Sequence, residues 1–189
     1  MSGERLARSA SLLTVGHGTA TAEELGTRLR DARVMSLVDI RIGPGSRRHP
    51  HVNRTAMTEW LPSYGVGYRW ERRLGGFRPL PVDSPDTALR NGSFRGYAAW
   101  MRTPEFLAAV EELLASAATE STAVMCSESV WWRCHRRLVA DFVQLASGLP
   151  VEHLMPDGRR TPHRPTEGVR LRCDGLLVYD SAGSDISDA

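Results

Sequence analysis

The chain has 189 residues, of which 41% are hydrophobic and 24% charged, with a formal net charge of +2. That length suits one globular domain able to bury a core without staples, and no apolar run approaches the roughly 18–20 residues of a bilayer-spanning helix. Three cysteines make no disulfide framework, so reduced thiols and a cytoplasmic location are expected.

Residues 1–10 carry Glu4, Arg5 and Arg8 without a long apolar stretch, and read as an N-terminal extension rather than a secretory signal. Ser11–His17 is a short apolar run with β-branched content, hence a strand. Thr21 and Glu24 form a capping box, opening a helix that carries Leu25, Leu29 and Ala32 at helical spacing. Met35–Ile40 predicts a second strand. A loop rich in Gly, Pro, Arg and His follows over 43–53, and Asn53 caps a helix holding Met57, Trp60 and Leu61. Val66–Trp70 reads as a third strand.

Residues 75–92 form a long irregular segment, the kind that carries function or moves. Phe94–Met101 is a short helix. Thr103-Pro104-Glu105 supplies a cap, a first-turn proline and a first-turn acid to the next helix, whose apolar face is Phe106, Leu107, Val110, Leu113 and Leu114. Ser121–Cys126 is a strand, Trp131–Ser147 an amphipathic helix stopped at Gly148, and Val151–Met155 a last core strand. Around Asp174-Gly175 the residues 169–179 predict a hairpin with a two-residue turn. Residues 181–189 read as a flexible acidic tail.

Strands alternating with helices predict an α/β fold: a three-layer α/β/α domain over 11–180 with a mostly parallel central sheet, plus a C-terminal hairpin. Right-handed crossovers put the strand-to-helix loops on one sheet edge, where ligands of open α/β sheets bind. Three loops should meet there, at Gly16-His17-Gly18, Asp39-Ile40-Arg41 and Cys126-Ser127-Glu128.

The chemistry concentrates after the fourth strand. Cys126 ends an apolar strand ahead of a helix start, a setting that favours a thiolate. Projected back along the helix stripe, His135 faces inward with Cys134 and Arg136 beside it, while Arg133 and Arg137 point to solvent. Cys126 and His135 suit a nucleophile and its base. Cys126 and Cys134 also suit a redox pair. Cys126, Glu128, Cys134 and His135 suit a transition metal such as zinc or iron, although their spacing matches no standard zinc module. His17 stands at the same edge, and Asp39 and Arg41 end a strand there, either in the site or as a salt bridge between loops. Trp131 and Trp132 are assigned to packing, and Cys173 no role.

All 24 basic residues are Arg. They cluster at Arg41, Arg47, Arg48 and Arg54, at Arg69, Arg72, Arg73 and Arg78, and at Arg133, Arg136 and Arg137. Guanidinium forks suit phosphate and carboxylate groups.

Thr14-Val-Gly-His-Gly18, Leu37-Val-Asp-Ile-Arg41, Pro44-Gly-Ser-Arg47, Leu74-Gly-Gly76, Phe94-Arg-Gly-Tyr-Ala98 with Met101, and Met125-Cys-Ser-Glu128 leading to Cys134-His-Arg136 together resemble the DUF488 family over about residues 12–155. The chain departs from the family pattern at Trp131, where a Pro is usual, and at Val52-Asn53, where Phe-Asn is usual. The resemblance implies a compact α/β fold and no particular activity.

The expectation is an enzyme acting on an anionic small molecule or nucleotide. Cys126 would be the thiol, His135 or His17 the acid/base, and Arg41, Arg47 and Arg136 the anion clamps, with Glu128 and Asp39 in the catalytic group. The rivals are a metal-binding protein using the Cys126, Glu128, Cys134 and His135 group, and a nucleic-acid-associated protein using the Arg clusters. No membrane partner is expected.

Overall fold

The computed structural model describes residues 11–180; the expected N-terminal extension and acidic tail lie outside the described residues. Five parallel strands and one antiparallel edge strand build the sheet. In chain order they are β1 (Leu12–Gly16), β2 (Ser36–Asp39), β3 (Gly67–Trp70), β4 (Thr122–Cys126), β5 (Val151–Leu154) and β6 (Arg160–Pro162), placed side by side as β3-β2-β4-β1-β5-β6. Two short strands, β7 (Val169–Leu171) and β8 (Leu177–Tyr179), pair as a separate hairpin. The expected α/β architecture with a C-terminal hairpin is what the chain adopts.

Side chains alternate across the sheet, because successive Cβ atoms of a strand point to opposite faces. Leu12, Val38, Val124 and Cys126 enter one core, with Tyr97, Phe106 and Leu138. Leu13, Val15, Leu37 and Met125 enter the other, with Leu25, Leu29 and Met57. The first core therefore holds helices α3 (Gly92–Trp100), α4 (Pro104–Thr119) and α5 (Arg136–Ser147), and the second holds α1 (Ala22–Asp31) and α2 (Arg54–Trp60). The near-continuous apolar strands β1 and β4, buried at every position, are those of a sheet covered on both faces.

The caps explain where the helices start. Thr21 accepts from the Glu24 N–H and Glu24 reaches back to the Thr21 N–H, completing the capping box. Thr103 accepts from the Phe106 N–H, with Pro104 in the first turn. Asn53 precedes α2 without capping it, since its side-chain oxygen accepts from the Ser46 N–H instead and ties down the preceding loop.

Two expectations need correction, and one edge strand is added. The helix expected to run unbroken from Trp131 is a single 3₁₀ turn over Trp131–Arg133, then an extended Cys134, then α5, with His135 as its N-cap residue. The hairpin turn has three residues rather than two: Arg172 N–H donates to the Leu176 carbonyl, leaving Cys173, Asp174 and Gly175 as the loop, with Gly175 at φ +81°. Beyond the expected last core strand the sheet gains β6, a three-residue antiparallel edge that carries a proline and no alternation to betray it.

A buried polar chain ties the far side of the sheet to the hairpin. Asp141 accepts from His163 Nε2–H at 2.8 Å, from the Thr166 N–H and from the Tyr179 hydroxyl. A carboxylate only accepts, so His163 Nε2 carries hydrogen, and His163 Nδ1 lies within hydrogen-bond distance of His153 Nε2, at 2.9 Å. His153 Nδ1 in turn is hydrogen-bonded with the Thr14 hydroxyl at 2.6 Å. Every member is satisfied with His153 neutral, and burial, then His163 and Arg136, push its imidazole down from 6.5 to about 3. The unfolded chain binds a proton there that the folded chain refuses, so stability rises with pH across this window. Denaturant midpoints are therefore expected to fall as pH drops below 6.5 toward 3. His153→Gln should flatten that slope, measured by urea unfolding followed by circular dichroism.

Candidate functional site

Strands β1, β4 and β2 run in the same direction and end level, with Gly16 opposite Cys126 and Asp39 opposite Met125. The hydrogen-bond ladder continues past the strand ends. His17 N–H donates to the Cys126 carbonyl at 3.1 Å, Gly18 N–H to Ser127 at 2.9 Å, and Ile40 N–H to Met125 at 2.9 Å. The three expected loops are thus stitched to one another by backbone, and a pocket of about 500 Å³ opens above them.

Cys126 and Cys134 are both free and buried at the floor of that pocket. His135 Nδ1 lies 3.7 Å from each sulfur. The other ring nitrogen, Nε2, lies 3.2 Å from the Ile40 carbonyl. A carbonyl only accepts, so Nε2 carries hydrogen and Nδ1 of the neutral ring presents its lone pair to the two thiols. Tyr97 packs edge-on against the imidazole at 5.0 Å and anchors its own hydroxyl on the Leu74 carbonyl. Gly76 lies on the ring's flank, where an added Cβ would come within 3.0 Å of Nδ1.

The break at Cys134 creates this arrangement. On an unbroken helix, neighbouring residues point about 100° apart. The extended Cys134 and the N-cap His135 instead converge on Cys126. Hydrogen bonding from the Cys134 thiol is the largest influence holding the Cys126 thiol well below its ordinary range. Burial opposes it, and His135 and Arg136 add to the lowering. Burial and the Cys126 charge push Cys134 the other way, well above the ordinary range. Of the two thiols, Cys126 is therefore the one set to ionise more readily.

Arg136 is 2% exposed and its guanidinium donates to the Glu128 and Ser129 carbonyls, holding the loop after β4. Gly16 admits this packing, since a Cβ there would overlap the Glu128 carbonyl oxygen and come within 2.7 Å of the Arg136 guanidinium. Asp39 is fully buried and accepts from Arg41 Nε at 2.8 Å, from a second Arg41 nitrogen at 2.5 Å and from the Tyr68 hydroxyl at 2.7 Å. Arg41 also donates to the Val52 carbonyl, and its remaining terminal nitrogen lies 3.4 Å from His17 Nε2. His17 Nδ1–H is directed at the Gly18 carbonyl at 2.9 Å, and burial, then Arg41, lower its pKa, leaving a neutral ring.

Of the residues singled out from the sequence, Cys126, Cys134, His135, Glu128, His17 and Arg41 line the pocket. Asp39 lies beneath it as the partner of Arg41. Arg136 is turned to backbone carbonyls, and Arg47 is exposed outside the lining. Glu128 is exposed at the rim, apart from the group of three donors, Cys126, Cys134 and His135, whose ligand atoms lie within 4.8 Å of one another. Arg133 is exposed, as expected, and also stands in the pocket lining. Residues 76–94 supply a wall that periodicity did not reveal, including Gly76, Phe77, Asn91 and Phe94. Phe77 sits at the mouth, 88% exposed and at φ +57°. The signal for this wall lay in the Leu74-Gly-Gly76 and Phe94-to-Ala98 segments, which were legible only as parts of a family pattern.

Fold and site together define a three-layer α/β protein with a thiol–imidazole pocket at the carboxyl edge of a parallel sheet. The family model described as Domain of unknown function DUF488 matches residues 21–143, and the chain belongs to that family. No curated protein and no solved structure gives a significant match.

Gly16→Ala tests the backbone contact under the site. The added methyl must displace the Glu128 carbonyl or the Arg136 guanidinium, an overpacking cost of about 1–3 kcal/mol. The expected outcome is a denaturant midpoint lowered accordingly, together with slower alkylation of Cys126.

Proposed function

We propose that the protein is an enzyme that uses Cys126 as a nucleophile on an anionic small molecule bound at the strand edge. The observation that carries this reading is the His135 Nδ1 lone pair facing the Cys126 sulfur at 3.7 Å while the Ile40 carbonyl holds the other ring nitrogen. The Ile40 carbonyl does for His135 what an orienting side chain does in a nucleophile–base–orienter set. Cys126 passes its proton to His135 Nδ1. The sulfur bonds to an electrophilic carbon of the substrate as the bond to the leaving group breaks, and the imidazolium returns the proton to that group. A water that gives its proton to Glu128 at the rim then bonds to the same carbon as the carbon–sulfur bond breaks; the sulfur leaves as the thiolate, and the proton held by Glu128 returns to it through solvent. His135 fits the acid/base role better than His17, whose Nε2 is turned toward the Arg41 guanidinium.

Arg133 lines the pocket with no carboxylate partner among the described residues and so supplies positive charge there, whereas the charge of Arg41 is matched by Asp39. The Arg clusters are poor support for a broad nucleic-acid footprint. Arg69 and Arg73 close on Glu71 and Glu112, and Arg136 is spent on carbonyls. Among the described residues no helix is long and apolar enough to cross a membrane. The three free cysteines suit a reducing, cytoplasmic compartment.

A metal site is the second reading, and the donor geometry favours it specifically. Zinc bonds of about 2.3 Å to sulfur and about 2.0–2.1 Å to nitrogen place tetrahedral ligands roughly 3.5–3.8 Å apart. His135 Nδ1 lies 3.7 Å from both sulfurs. Its Nε2–H on a backbone carbonyl is the usual outer support of a metal-bound imidazole. Three protein ligands would leave a fourth position open to the pocket.

One experiment separates the two. Protein purified without chelator is analysed for metal, then alkylated with iodoacetamide across a pH series with the modified cysteine mapped by mass spectrometry. The thiol reading expects metal-free protein in which Cys126 reacts well below the pH of about 8.5 at which a free thiol ionises. Cys134 should stay unmodified, and His135→Asn should slow Cys126 at least tenfold. A Cys126 profile like a free thiol would remove that reading. Stoichiometric zinc or iron that shields both cysteines would establish the second.

A further inference from the structure

Beside the main pocket lies a second cavity of about 720 Å³, and the two share Asn91 and Phe94 in their linings. The start of α3 and the 3₁₀ turn over Trp131–Arg133 border both. The second cavity differs in chemistry from the first. Its walls combine Trp131, Trp132 and Phe94 with Arg90, Arg137 and Arg164.

These side chains are set out unlike the rest of the surface. Trp131 lays one face on His153 at 4.1 Å with the planes 6° apart, so it is committed to the core. It meets Trp132 edge-on at 5.7 Å and thereby props it up. Trp132 is 46% exposed, a large ring left standing at the cavity wall. Packing, the role expected for both tryptophans, accounts for Trp131 alone. Arg137 is held in place by the Phe94 ring, 4.8 Å from its guanidinium carbon, and by the Trp132 carbonyl. Elsewhere Arg73, Arg102, Arg159 and Arg170 each pair with a carboxylate. Arg90, Arg137 and Arg164 have no ion-pair partner among the described residues, and Glu167 is the single acid in the lining. Thr166 Oγ1, also in that lining, is buried without a hydrogen-bond partner.

A flat exposed ring, three uncompensated guanidinium groups and an unused hydroxyl suit a ligand with an aromatic base and several negative oxygens. Continuity with the Cys126 pocket asks for a third part beyond the phosphates. We infer that the two cavities together bind a nucleoside diphosphate conjugate. Its base lies on Trp132, its diphosphate runs along Arg90, Arg137 and Arg164, and its terminal group enters the pocket above Cys126. The inference rests on the proposed active site for what happens at the terminal group, and on the second cavity alone for recognition of the nucleotide.

Calorimetry with ADP, adenosine and inorganic pyrophosphate tests the recognition, and ADP-ribose tests the reach. ADP should bind saturably to the wild type. Trp132→Leu should weaken ADP and adenosine roughly tenfold or more, the scale of one lost base–aromatic stack, and leave pyrophosphate binding unchanged. The double variant R90Q/R164Q, both at exposed positions, should weaken ADP and pyrophosphate and spare adenosine. ADP-ribose, but not ADP, should slow alkylation of Cys126. Absence of saturable ADP binding, or ADP affinity unchanged in Trp132→Leu, overturns the inference. A reactive Cys126 in protein that does not bind ADP leaves the active-site reading standing and removes the substrate class. Trp132-dependent ADP binding beside an inert Cys126 does the reverse.

Discussion

Three parallel strands that end at one level are the constraint on which the rest of the molecule depends. Pairing of β1 with β4 and of β4 with β2 is set by evenly spaced backbone bonds that a parallel register demands. Those bonds run on into the loops, so His17, Gly18 and Ile40 are attached directly to the backbone of Met125, Cys126 and Ser127. The site is therefore held by main chain before any side chain contributes. Ile40 shows the economy of this arrangement: its N–H closes the ladder to Met125, and its carbonyl orients His135.

Side chains then lock what the backbone has brought together. Arg136 binds the loop after β4, and Asp39 binds Arg41, so two buried guanidinium groups support the pocket from below. Breaking a buried pair by removing one partner typically costs about 3–5 kcal/mol, because the remaining charge is stranded. These two residues are best understood as positioning groups. They keep Cys126, Cys134 and His135 in register, and Arg136 also favours the charged form of Cys126. The hairpin is tied on by a different device, the buried hydrogen-bonded chain from Thr14 through two imidazoles to Asp141 and Tyr179.

Much of this was legible in the residues. Apolar β-branched runs alternating with capped amphipathic segments indicated a parallel sheet, and its handedness predicted which loops would meet. Cys126, His17 and Arg41 reach the pocket for that reason. Local pattern could not show the break at Cys134, because the stripe of α5 projects smoothly backward and nothing in Trp-Trp-Arg-Cys-His forbids helix. The break is imposed by tertiary contacts, chiefly burial of Cys134 and Arg136. The wall from 76 to 94 was hidden because irregular chain has no period, and its anchor is long-range: Asp86 binds Arg102 and the Tyr179 N–H. Arg47 and Arg136 were grouped with Arg41 by composition, and composition does not say where a guanidinium points.

The central claim is that one imidazole nitrogen serves both sulfurs because the other is fixed on the Ile40 carbonyl. Nitrogen NMR of His135 in labelled protein reads this directly, with assignment by a His135→Asn variant. The account predicts that Nε2 carries hydrogen throughout the neutral pH range and that Nδ1 responds when Cys126 or Cys134 is replaced by serine. A neutral ring with its hydrogen on Nδ1, indifferent to both cysteines, would contradict it.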